Sequence, residues 1–119
     1  MTDMVTARSI VQWFEGKVGS KEPISPSVWA DAGMKLIALQ GAEDAKMIEL
    51  ECKCRKLEKD FFDNQEGKKN KSAARMSMMA TEDYRDWQLQ VSFCKQIHEF
   101  VLMAKVRARL AMDEAKGYA

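Results

Sequence analysis

The amino-acid sequence predicts an all-α protein: a long antiparallel helical hairpin with a short N-terminal helix packed on it. Three observations carry this expectation. Both prolines fall within Pro23-Ile24-Ser25-Pro26, so the rest of the chain is free to be helical. Two stretches of nearly equal length, about 26–65 and 72–116, keep apolar residues at helical spacing. Between them lies one short polar segment, Glu66-Gly67-Lys68-Lys69-Asn70-Lys71, which reads as a basic turn.

The first element runs over 3–15. Asp3 is its expected N-cap, Ile10, Val11 and Phe14 form its apolar stripe with Trp13 beside them, and Gly16 and Gly19 end it. Residues 16–25, rich in Gly, Ser, Lys and Pro, read as a linker. Ser25-Pro26 then starts the first arm, a hydroxyl cap followed by a proline whose missing N–H is no loss at the first helical position.

In the first arm Val28, Ala32, Leu36 and Leu39 recur at helical spacing, with Trp29 and Ile37 widening the face. Gly41 is expected to bend the arm; Glu43 and Asp44 would suit a new helix start if it breaks there. From Met47 the pattern becomes a heptad seam of Met47, Leu50, Cys54, Leu57 and Phe61. Glu49, Lys53, Lys56, Glu58 and Lys59 occupy the solvated side. This coiled-coil-like stretch covers only about two heptads.

The second arm begins near Ser72, and Thr81-Glu82-Asp83 would restart a helix if the arm is interrupted. Trp87, Cys94, Val101 and Ala108 step by sevens, with Ile97, Ala104 and Ala111 at the alternate positions. A second stripe runs through Leu89, Phe93, Phe100, Met103 and Leu110. A helix with two apolar stripes needs two neighbours, so self-association into a homo-oligomer is expected if the N-terminal helix does not cover enough. Each arm would reach about 60 Å, and antiparallel pairing puts Leu36 beside Val101, Leu50 beside Trp87 and Trp29 beside Ala108. Lys105, Arg107, Arg109 and Lys116 suit a helix C-terminus.

Composition narrows the function classes. The chain of 119 residues is one domain, 46% hydrophobic and 31% charged, with 19 basic against 18 acidic residues. That balance argues against a protein drawn to nucleic acid or membrane by bulk charge. No apolar run approaches the roughly 18 residues needed to span a bilayer, and Met1-Thr2-Asp3-Met4 lacks the features of a signal peptide. Three cysteines without an export signal point to free thiols in a reducing cytoplasm.

Several constellations suggest chemistry. Cys52 and Cys54 in one arm, with Cys94 and His98 in the other, supply four potential zinc ligands. The antiparallel register separates the pairs by about 15 Å, and C-x-C on a helix points its thiols in nearly opposite directions, so no metal site is expected. His98, near Lys95 and Glu99, has no motif-placed nucleophile and reads as structural. Glu82, Asp83 and Asp86 complement a helix dipole. No catalytic residue, cofactor or small-molecule substrate is expected.

Two surfaces remain. Met76, Met78 and Met79, with Trp87, Phe93 and Phe100, are the candidate protein-interaction residues, because Met-rich patches adapt to partners and aromatic residues anchor them. Lys68, Lys69, Lys71 and Arg75 at the turn, with Lys105, Arg107 and Arg109 further along, are the candidate nucleic-acid residues, available for phosphate contacts. Trp13 and Trp29 read as packing anchors.

Ser25-Pro26-Ser27-Val28-Trp29-Ala30-Asp31-Ala32, Leu39-Gln40-Gly41, Glu82-Asp83-Tyr84-Arg85, Ile97-His98-Glu99-Phe100-Val101 and Ala104-Lys105-Val106-Arg107-Ala108-Arg109-Leu110 resemble segments of small all-helical proteins of tailed bacteriophages. The resemblance spans about residues 25–112 and rests on packing and capping motifs. It implies a small phage protein acting inside a bacterium and supplies no catalytic residues. The expected function is a non-enzymatic interaction protein in the host cytoplasm that binds a host or phage protein, for example to inhibit a host enzyme or defence complex. The alternative is a nucleic-acid accessory factor in phage replication or recombination.

Overall fold

The computed structural model describes residues 6–20 and 24–117, and of these the side chains of residue 111 and of 114–117 are excluded. Asp3, residues 21–23 of the linker, and the side chains of Ala111 and Lys116 therefore lie outside the described residues. The chain is all-helical, with α1 over Ala7–Val18, α2 over Pro26–Asp63, α3 over Lys71–Met79 and α4 over Glu82–Gly117. Among the described residues there is no strand.

Helix α1 starts at a reciprocal cap. The Ser9 amide donates to Thr6 Oγ1 and the Thr6 amide donates to Ser9 Oγ, each at 3.1 Å. Two of the helix's orphan donors are satisfied this way. The helix runs through Gly16 to Val18 and ends at Gly19, so the linker is shorter than its composition suggests.

Helix α2 is an uninterrupted 38 residues. Ser25 caps it through its hydroxyl, whose Oγ accepts from the Val28 amide at 3.4 Å, while its carbonyl accepts from Val28 and Trp29 at 3.1 and 3.2 Å. Gly41 does not end it: no breaking partner follows, and the propensity penalty of one glycine is small against the packing of a long helix.

The segment between α2 and α3 is built rather than merely solvated. The Gln65 side chain clamps Asn70, donating to its carbonyl at 2.9 Å and accepting from its amide at 2.6 Å. Asn70 Oδ1 caps α3 by accepting from Ser72 and Ala73. Gly67 sits at φ 74°, the left-handed region where glycine carries no Cβ penalty.

The second arm is not one helix over 72–116. It breaks at Ala80-Thr81, where Thr81 Oγ1 donates to the Met78 carbonyl at 2.6 Å and accepts from the Tyr84 amide at 3.2 Å. The hydroxyl closes α3 and opens α4, and Glu82 and Asp83 then complement the new N-terminus.

The chain divides into two compact units, one of Met1–Ala42 with Lys95–Ala119, the other of Glu43–Cys94. In the first, α1 buries Ala7, Ile10, Val11 and Phe14; α2 contributes Trp29 and Leu36; and α4 contributes Ile97, Val101 and Ala104. Phe14, with no exposed surface, stacks between Trp29 and Phe100, its ring centroids 5.7 and 5.1 Å from theirs. The buried positions of α2 here are Trp29, Gly33 and Leu36, with Ala32, Leu39 and Gln40 half-buried. The expected face therefore holds at Trp29, Leu36 and, in part, Ala32 and Leu39; it fails at Val28 and Ile37, and it omitted Gly33 and Gln40. Val28 and Ile37 are 44% and 41% exposed. A Cβ placed on Gly33 would lie 2.9 Å from the Ala104 Cβ, so α2 and α4 approach closely because position 33 has no side chain.

The second unit buries Cys54, Ala74, Met78 and Cys94, with Met47, Leu50, Leu57 and Trp87 half-buried. The inward positions of α2 here match the expected seam until its last member, where Phe62 is half-buried and Phe61 is 37% exposed. A polar layer interrupts this core. Gln90 Nε2 donates to the carboxylate and the carbonyl of Glu43 at 2.8 and 3.0 Å, and the Cys94 thiol donates to that same carbonyl at 3.3 Å. Lys53 and Asp83 form an ion pair at 3.2 Å.

Candidate interaction surfaces

Helix α3 divides its three methionines between core and surface. Met78 is 2% exposed and fastens the helix, which removes it from the candidate contact patch. Met76 and Met79, one turn apart, are 71% and 45% exposed. Beside Met79 lies a small recess of about 120 Å³, bordered by Arg75, Tyr84 and Trp87. Trp87 is half-buried, edge-on to Tyr84 at 5.9 Å, with the Arg55 guanidinium 5.6 Å from its ring centre. Leu89, a member of the second apolar stripe, is 61% exposed in the same unit.

The other two candidate anchors are less available. Phe93 is half-buried. Phe100 is half-buried and stacked on Phe14 in the aromatic cluster of the first unit.

The basic residues of the turn have unequal freedom. Lys68, Lys71 and Arg75 are exposed. Lys69 is already engaged: its ammonium donates to the Asp63 carbonyl at 3.3 Å and lies 5.6 Å from the Phe62 ring centre. It thereby satisfies one orphan carbonyl at the end of α2. In the first unit, Arg107 is placed over Trp29 at 5.3 Å, a cation–π contact that covers the aromatic cluster. Lys105 and Arg109 line an open groove of about 530 Å³ with a floor of Ala30, Gly33, Ala104 and Ala108.

The thiols are separated by environment. Cys52 is exposed; Cys54 and Cys94 are buried. Burial raises the Cys54 thiol above its ordinary value, with the nearby Asp83 carboxylate adding to the effect. Cys94 is pushed up to about 11, chiefly by burial, then by its interaction with Asp44. Thiols held protonated in this way are poor nucleophiles and poor metal ligands. Among the described residues, no three His, Cys, Asp or Glu side chains gather as a metal site. His98 meets Gln40, whose amide nitrogen lies 2.9 Å from both ring nitrogens. Among the described residues, no helix is long and apolar enough to cross a membrane.

No protein-family model, curated protein or solved structure matches the chain.

Proposed function

We propose that this is a phage-type helical interaction protein, an antiparallel helical hairpin carrying a short N-terminal helix, that binds and modulates a host or phage protein without catalysing a reaction. The observation that carries the reading is the division of labour on α3. Met78 anchors the helix in the core while Met76 and Met79 are displayed outward, Met79 bordering a recess with Tyr84 and Trp87. Flexible thioethers around a half-buried aromatic pair, with Arg75 at the rim, are the composition of a contact surface that adapts to another protein. The segments within residues 25–112 that resemble small phage proteins supply the biological setting.

The test is affinity capture from a bacterial lysate, run in parallel with the wild-type chain and a Met76→Asp, Met79→Asp variant. A protein retained by the wild type and lost by the variant supports the reading. Capture of nothing specific at micromolar concentrations, or equal capture by the variant, overturns it.

A second reading rests on the exposure of Lys68, Lys71 and Arg75, which leaves three cations free for phosphates. Under it the chain is a nucleic-acid accessory factor in phage replication or recombination. Changing the three to Glu should then abolish retention on DNA and flatten its salt dependence. Retention unchanged by that substitution removes this alternative.

A further inference from the structure

The outer side of α4 in the first unit carries a pattern that the packing of the chain leaves unused. Lys95, Glu99, Leu102, Val106, Arg109 and Asp113 follow one another by four, three, four, three and four, so they share one stripe along about 27 Å of helix. All six are exposed, Leu102 at 63% and Val106 at 48%. The stripe lies on the side of the helix turned away from buried Ile97, Val101 and Ala104. None of the four charged residues has an ion-pair partner among the described residues.

The stripe is complementary to its own reverse. In antiparallel apposition about a two-fold axis midway between Leu102 and Val106, Lys95 meets Asp113, Glu99 meets Arg109 and Leu102 meets Val106. Each contact then occurs twice by symmetry, the form of an isologous interface. Parallel apposition would instead set every charge against its own copy, which electrostatics penalises. An unrelated partner would require no such internal pairing of signs.

We propose that this face of α4 binds the same face of a second copy of the chain, antiparallel, forming a two-fold dimer. The open groove beside Arg109 and Asp113 extends the contact surface past the stripe. A single helix face of this length falls below the roughly 800 Å² per partner of a standard stable interface. The dimer is therefore reversible, with dissociation in the micromolar range. It uses none of the α3 contact surface, so failure of either proposal leaves the other standing.

Sedimentation equilibrium over a concentration series tests it, with circular dichroism confirming that each variant is folded. The wild type should populate dimer at tens of micromolar. Leu102→Asp with Val106→Asp should raise the dissociation constant by about tenfold or more, since it sets carboxylates against one another at the centre. Glu99→Arg alone and Arg109→Glu alone should each weaken association. The combined exchange, Glu99→Arg with Arg109→Glu, should restore it to within about threefold of the wild type, about 0.7 kcal/mol. A wild type that remains monomeric at hundreds of micromolar, association indifferent to the central pair, or a combined exchange that fails to recover would each overturn the proposal.

Discussion

Replacing Gly33 by Ala tests the packing of the first unit directly, because two effects of opposite sign meet at one atom. Alanine is the better helix former by about 0.8–1.0 kcal/mol, which favours the substitution. The added methyl, however, would sit 2.9 Å from the Ala104 Cβ. Carbon atoms pack at about 3.5–4.0 Å, so α2 and α4 must separate locally by about 0.6 Å or more. The Ala104 Cβ is the first atom of its side chain and 1% of the residue is exposed, so it has no rotamer by which to yield. Overpacking of this kind typically costs about 1–3 kcal/mol. The net expectation is destabilisation of up to about 2 kcal/mol, or up to roughly 8 °C in thermal midpoint for a domain of this size.

Gly41 provides the internal control. It lies in the same helix, and nothing stands within 4 Å of a Cβ built there. Gly41→Ala should therefore stabilise by about 0.5–1 kcal/mol, the propensity gain without the clash. The difference between the two variants, about 1–3 kcal/mol in urea unfolding followed at 222 nm, isolates the close approach. Ala104→Gly in the Gly33→Ala background should recover part of the loss, giving a favourable coupling of about 1 kcal/mol or more in the double-mutant cycle. A Gly33→Ala protein as stable as Gly41→Ala would refute the claim that a missing side chain lets these helices meet.

Further outcomes follow from burial and hydrogen bonding. Phe14→Ala, which empties the centre of the aromatic cluster, should cost about 3–5 kcal/mol and remove most near-ultraviolet dichroism from the tryptophans. An aromatic disulfide reagent should label Cys52 quickly and Cys54 and Cys94 only on unfolding; rapid labelling of a second thiol in the native protein would contradict their burial. Because folding raises Cys94 from 9.0 to about 11, its stabilising contribution is complete below pH 9 and is lost as pH rises toward 11. The loss is on the order of 2–3 kcal/mol, and Cys94→Ala should flatten that alkaline slope in pH-dependent urea unfolding. Gln90→Leu strips Glu43 of a donor and should cost about 1–3 kcal/mol, whereas Glu43→Leu with Gln90→Leu, removing both partners, should come closer to the wild type.

Helix starts were legible wherever the cap was a local chemical pattern. Ser25-Pro26 and Thr81-Glu82-Asp83 each announce a helix in the residues themselves, and both helices begin there. The cap of α1 was harder to see, because Ser9 takes the place usually held by Glu or Gln in the reciprocal pair with Thr6. The inward face of α2 was misread at Gly33 and Gln40 for a different reason. Neither is apolar in the sense that a periodicity search rewards, yet one is needed for its absent side chain and the other meets His98. Glu43 was legible only as a possible helix start and Gln90 not at all, because each looks solvated until its partner, far away in sequence, is known. Of the candidate contact residues, Met76 and Met79 differ from Met78 only in which way the α3 backbone turns them. Three neighbouring methionines carry no record of that direction.

The polar layer and the outer stripe of α4 bear on one physical question, what fixes register where apolar side chains are interchangeable. Apolar contacts in the second unit would tolerate a shift along the helices, since Met47, Leu50 and Leu57 are similar in size and have no directional bonds. A shift by one turn would part Gln90 from Glu43 and leave the Cys94 thiol without its carbonyl acceptor, so the hydrogen bonds select one alignment, as single polar residues do in helical seams. The stripe from Lys95 to Asp113 has the same logic on a surface. Its apolar centre is only two residues wide and could meet many partners, but the order of charges around it admits one antiparallel alignment with itself. Phe100, from the second apolar stripe of α4, is answered within the chain by Phe14, whereas Leu102 and Val106 lie on another side of the helix, exposed, and carry at their flanks the charges that specify another copy.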